Sequence, residues 1–147
     1  MSYLAAILRT GLLAAAAALC AAEPHLVVVV NPESGVTQMS PEEVRNIFLG
    51  RQKRLSSGLP AAPVEEEEPA VRAHFYRILV HKDVAEINAY WARLFFTGQA
   101  HPPRAVRGAE EVIRLVAAER GAIGVLAWTR PDGRVRVVLD LDAPPGP

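Results

Sequence analysis

The pattern of apolar and polar positions is sharpest between residues 26 and 50. Leu26–Val30 is an unbroken apolar run, mostly β-branched, as expected of a strand covered on both faces in a parallel-type sheet. Asn31-Pro32 ends it, because proline has no N–H to give a ladder, and Glu33-Ser34-Gly35 continues as a loop. Ser40-Pro41-Glu42-Glu43 then predicts a helix start, with Ser40 as N-cap, Pro41 in the first turn and Glu43 closing a capping box. Val44, Ile47 and Phe48 form the buried stripe. Gly50 suits a left-handed helix end, and Arg51, Lys53 and Arg54 put positive charge beyond it.

Further along, Gly58, Pro60 and Pro63 mark a loop that leads into an extended segment over residues 62–65. Pro69 opens a second helix, in which Val71, Phe75, Ile78 and Leu79 share a face up to about His81. Asp83 with Glu86 is another capping signature, followed by Val84, Ile87, Trp91, Leu94 and Phe95 as far as Gly98. His101-Pro102-Pro103-Arg104 reads as a rigid connection. A further helix starts near Gly108, carries Val112, Ile113 and Val116 inward, and is predicted to close on Gly121 as its C-terminal glycine. Residues 122–126 read as a buried strand, Asp132-Gly133 as a turn, and residues 135–139 as a last strand. The prediction is an α/β domain: one small, mostly parallel sheet of about four strands flanked by helices, with room for an antiparallel last strand.

Composition changes this picture at the ends. Arg9, an apolar run over residues 11–19 and the small residues Cys20-Ala21-Ala22 predict a secretory signal peptide over residues 1–22. The expectation is therefore a periplasmic protein, with an uncleaved membrane anchor as the alternative. One domain over residues 23–142 and a disordered tail over residues 143–147 would remain. Cys20 is the single cysteine, so the processed chain could form no disulfide. Lys+Arg and Asp+Glu number 16 each, which leaves no net field to attract a nucleic acid.

Candidate chemistry is sparse. The chain has no GxSxG elbow, no phosphate-cradling glycine loop, no dinucleotide fingerprint and no processed-chain cysteine nucleophile, so the expectation is a non-enzymatic protein without a cofactor. His74 and His81 stand seven residues apart, about 10 Å along a helix, too far to share one metal, and both read as partly exposed structural residues. Phe75, Trp91, Phe95 and Phe96 read as core, with Tyr76 or Tyr90 the aromatic best placed to reach the surface. The acidic residues 65–68 read as first-turn carboxylates that offset a helix dipole, or else as a site for a cation or basic partner. Either way they would repel a phosphate from that helix end.

Several segments carry a resemblance. VVVVNPESGVTQMSPEEVRNIFLG, RAHFYRILVHK, AYWARLFFTG, PPRAV and GAIGVL, in that order over residues 26–139, resemble the short phosphate-ABC-transporter substrate-binding-like proteins of the periplasmic binding protein superfamily. Full-length members of that family have two α/β lobes of the type II fold, and they hold a tetrahedral oxyanion with helix N-termini, a Ser-Gly-Thr loop and an arginine. The resemblance implies a single such lobe here. Glu66-Glu67-Glu68-Pro69-Ala70-Val71 stands where the Ser-Gly-Thr loop would be, and Arg72 matches the arginine. Ser34, Gly35 and Arg72 are thus the implied ligand-binding residues, and the implied ligand is a small oxyanion such as phosphate. Implied partners are a membrane permease, an envelope protein, or a second copy that rebuilds a cleft. Two functions stay open: an exported solute-binding-like protein with weak anion binding, and a periplasmic interaction or sensory domain that has lost phosphate binding.

Overall fold

The computed structural model describes residues 22–128, 130 and 132–144. The predicted signal peptide up to residue 21, with Cys20, and the last three residues of the predicted tail lie outside them. The elements run β1 (Leu26–Val30), α1 (Pro41–Phe48), β2 (Ala62–Glu66), α2 (Pro69–Val80), α3 (Val84–Phe96), β3 (Arg104–Val106), α4 (Ala109–Ala118), β4 (Ala122–Ala127) and β5 (Arg136–Asp140).

One five-stranded sheet has the order β3-β2-β4-β1-β5. It is mixed rather than mostly parallel: β2 runs parallel to β3 and β4, whereas β1 runs antiparallel to β4 and β5. The unbroken apolar character of β1 reports that both faces are covered and is silent on direction. Leu26, Val28 and Val30 join the core under α1, α2 and α3, while Val27 and Val29 pack on the opposite face with Val112 and Val116 of α4. The fifth strand, β3, is only three residues long and follows Pro102-Pro103, so no alternation announces it. β5 pairs with β1 and not with β4, so the Asp132-Gly133 turn does not join hairpin neighbours.

Local signals hold where they depend on contacts within a few residues. Ser40 Oγ accepts from Glu43 N at 3.2 Å and Glu43 Oε2 accepts from Ser40 N at 2.9 Å, completing the predicted box. Asp83 and Glu86 repeat the arrangement at 2.8 and 3.0 Å. Gly50 adopts φ +71° just past α1, with the edge of the Trp91 indole packed against it.

Gly121 departs from its predicted role. Glu119 caps α4, and Gly121 is instead the place where the Pro60 carbonyl approaches the backbone: a Cβ there would lie 2.1 Å from that oxygen. Asp142 fastens the last described turn to the start of β1, its Oδ2 accepting from Leu26 N at 2.6 Å and its Oδ1 lying 2.7 Å from His74 Nε2. His74, predicted to be partly exposed, is therefore buried. His81 is exposed and ends α2 in the left-handed conformation at φ +58°.

Candidate functional site

The three implied ligand residues fall at two ends of the sheet. Val30 pairs with Ile123, and Ile123 with Pro63, so the loop after β1 lies where β2 and β4 begin. Ser34 and Gly35 belong to that end. Ser34 is 1% exposed, its N–H donates to Asn31 O at 2.9 Å, and its Oγ accepts from Val36 N at 3.2 Å. Gly35, at φ +78°, packs against Ser57. The same loop closes the end of α4, because Asn31 Nδ2 donates to the Val116 and Ala117 carbonyls at 3.0 Å each.

Arg72 sits at the other end, in the first turns of α2 beyond the carboxyl end of β2. Its Nε donates to Glu65 Oε1 at 2.7 Å and its Nη2 to Asn88 Oδ1 at 3.1 Å, and its guanidinium lies 5.6 Å from the Tyr76 ring centroid. Tyr76 OH donates to the second oxygen of Glu65. Burial, then the adjacent Glu65 charge and that hydrogen bond, push the Tyr76 phenol far above its ordinary range. Tyr76 is thus an internal donor to Glu65 and not a surface residue. The Trp91 indole N–H is buried beside this network and makes no hydrogen bond of good geometry among the described residues.

The carboxyl ends of β2, β3 and β4 are where an open α/β sheet places a ligand. Two helices, α2 and α4, start there, and neither N-terminus carries a side-chain cap. Their free N–H groups and positive dipole ends would suit an anion. A shallow concavity of about 290 Å³ between them is lined by Glu66, Glu67, Glu68, Pro69, Arg107 and Gly108. The acidic run was predicted to form the first turn of the helix. Instead Glu65 and Glu66 end β2, at 4% and 7% exposure, and only Glu68 reaches the N-cap position of α2. Glu66 Oε2 accepts from Ala127 N at 3.2 Å, so a carboxylate of the chain itself takes the N–H offered by the end of β4. Glu67 pairs with Arg107 at 2.9 Å. Nearby, a hydrogen bond from Arg134 holds the Glu110 carboxyl below its usual range, which keeps another anion at this end of α4.

The buried roles of Glu65, Glu66 and Tyr76 and the exposed role of Arg107 were not read from the sequence. One signal was available for part of this: Arg72 and Tyr76 are four apart on α2 and so share a face, toward which the end of β2 could turn a carboxylate. Phe95 and Phe96, predicted as core, are 58% and 86% exposed at the end of α3. Among the described residues, no group of three or more His, Asp or Glu side chains is arranged to hold a metal, and no helix is long and apolar enough to cross a membrane.

No protein-family model and no curated protein matches the chain by sequence. Solved structures do match by fold. An ABC-type phosphate transport receptor from Vibrio cholerae superposes with a TM-score of 0.62 at 18% identity, covering 84% of this chain and 48% of the receptor. The chain has the fold of one lobe. A substrate-binding protein of the phosphate ABC transporter class from Clostridium perfringens, solved with phosphate bound, matches at TM-score 0.61 and 16% identity over 78% of this chain and 44% of its own. PstS from Borrelia burgdorferi matches at 0.57 and 12% over 84% and 49%. The chain therefore spans less than half the length of the phosphate-binding proteins whose fold it shares, and the α/β lobe implied by the resemblance is present.

Proposed function

We propose that this protein is an exported, non-enzymatic binding lobe related to phosphate-binding proteins, whose strand-end cleft binds free phosphate only weakly. Export rests on the leader pattern over residues 1–22. The observation that carries the weak-binding reading is Glu66, whose carboxylate already holds the Ala127 N–H at the end of β4. Arg72 is likewise neutralised by Glu65. A phosphate entering between α2 and α4 would face several carboxylates, and each unit charge about 5 Å away costs roughly 3 kcal/mol at an effective dielectric of about 20. That is comparable to or larger than what a helix N-terminus returns, about 0.3–2 kcal/mol. Calorimetric titration of residues 23–147 with phosphate and sulfate tests this. Saturable heat only at or above roughly millimolar ligand is expected, and micromolar binding would overturn the reading.

A second reading, a periplasmic interaction domain that docks an envelope protein, a permease or a second copy, is favoured by Phe95 and Phe96. They stand exposed near β3, whose outer edge is unpaired among the described residues. Sedimentation of the processed chain and of its Phe95→Ser/Phe96→Ser variant distinguishes self-association through this surface from a monomer.

A further inference from the structure

We infer a second binding site, for a small organic anion with a short apolar body, in the concavity where α1 and α2 end against the side of α3. The inference rests on the reading that the chain works by binding. It moves the anion from the strand-end cleft to a place where the local charge favours it. The concavity has a volume of about 270 Å³. Pockets for drug-sized ligands start near 300 Å³, so its size selects something smaller.

Its floor is apolar: Leu49, Val80 and Ile87, of which Leu49 and Ile87 are at most 3% exposed. Its rim carries three cations, Arg51, Lys82 and Arg93, each from a different segment. Glu86 is the one carboxylate among them and lies 3.5 Å from Lys82. Arg51 and Arg93 form no ion pair among the described residues, so the rim holds two uncompensated positive charges above an apolar surface. In contrast, Arg72, Arg107 and Arg134 at the strand-end cleft each face a carboxylate of the chain.

Helix ends normally repel anions through their unpaired carbonyls. Here several of those carbonyls are taken by internal donors. Leu49 O accepts from Tyr90 OH at 2.6 Å, and Ile47 O and Asn46 O accept from the N–H groups of Gly50 and Arg51 at 3.0 and 2.8 Å. At the end of α2, Arg77 O accepts from His81 N at 3.1 Å. An anion at the rim therefore meets the guanidinium and ammonium groups with the carbonyl repulsion reduced, while an apolar body covers Leu49, Val80 and Ile87. Inorganic phosphate lacks that body and a neutral aromatic lacks the charge, so each would bind less well than a molecule that has both.

The test follows amide NMR shifts of the processed chain during titration with phenyl phosphate, benzyl alcohol and inorganic phosphate. Expected are saturable shifts with phenyl phosphate confined to residues 49–51, 80–82 and 90–93, and at least about tenfold weaker binding of the other two probes. The Arg51→Glu/Arg93→Glu variant, altered at exposed side chains, should keep the fold and lose at least about tenfold in phenyl phosphate affinity. Absence of saturable shifts at the concavity, or equal affinity in the charge-reversed variant, would overturn the site and leave the weak-phosphate reading intact. Tight phosphate binding with shifts at residues 106–108 would instead overturn that reading and leave this site to be judged on the phenyl phosphate shifts alone.

Discussion

Glu65 and Arg72 meet at 2.7 Å across the step from β2 to α2, with 5% and 22% of their side chains exposed. They are seven positions apart and lie on different elements, and the carboxylate is completed by the Tyr76 hydroxyl. The arrangement neutralises the arginine that the phosphate-binding resemblance singles out.

Removing the carboxylate should therefore destabilise the fold. Glu65→Ala leaves the Tyr76 hydroxyl without its acceptor and Arg72 without its counter-charge. Loss of one partner of a buried pair costs about 3–5 kcal/mol. The low end is expected, because Arg72 is partly exposed and can turn toward water. Urea denaturation of the two proteins measures the difference, and a cost below about 1 kcal/mol would show that the network contributes little.

Alkaline pH should expose the same network. The Tyr76 phenol is pushed far above the ordinary tyrosine range, first by burial and then by Glu65. A raised native pKa means that the stabilisation is complete below pH about 10 and declines as pH rises, because only the unfolded chain releases the proton in that window. The decline reaches at most about 1.4 kcal/mol per pH unit. Tyr76→Phe should flatten that part of the stability profile between pH 9 and 11, as read from denaturation midpoints.

Glycine substitutions separate close approach from open space. Gly121→Ala drives a Cβ to 2.1 Å from the Pro60 carbonyl oxygen and should cost about 2–4 kcal/mol, since backbone has to move. Gly133→Ala meets nothing within 4 Å among the described residues and should change stability by no more than about 0.5 kcal/mol. Thermal unfolding of both variants checks the contrast.

Two phenylalanines of equal size should behave oppositely. Phe75 is fully buried, with its ring 5.0 Å from Phe48 and 4.9 Å from Tyr76, and Phe75→Ala should cost about 3–5 kcal/mol. Phe96 is 86% exposed, and Phe96→Ser should leave stability within about 0.5 kcal/mol. Denaturant midpoints report both. A large loss in the second variant would mean that Phe96 is covered in solution, as in a dimer.

The features legible along the chain are those whose cause is local. The capping boxes at Ser40 and Asp83, the proline starts of α1 and α2, the closing Gly50 and the two-sided burial of β1 all follow from contacts within about four residues or from apolar pattern alone. The α/β class was legible for the same reason, because each helix carries its own apolar stripe, whereas the single lobe was implied by the resemblance. What the pattern does not hold is how distant segments meet. The antiparallel placement of β1, the three-residue edge strand β3 and the approach of Pro60 to Gly121 arise from pairings 30 or more residues apart. The candidate site shows the limit most clearly. Ser34, Gly35 and Arg72 looked like one set, but strand direction sends them to opposite ends of the sheet. Four consecutive glutamates read as one set of first-turn carboxylates, but the end of β2 and the turn into α2 give them different environments. Burial and strand order are properties of the whole packed chain, and they settle which charges remain free to meet a ligand.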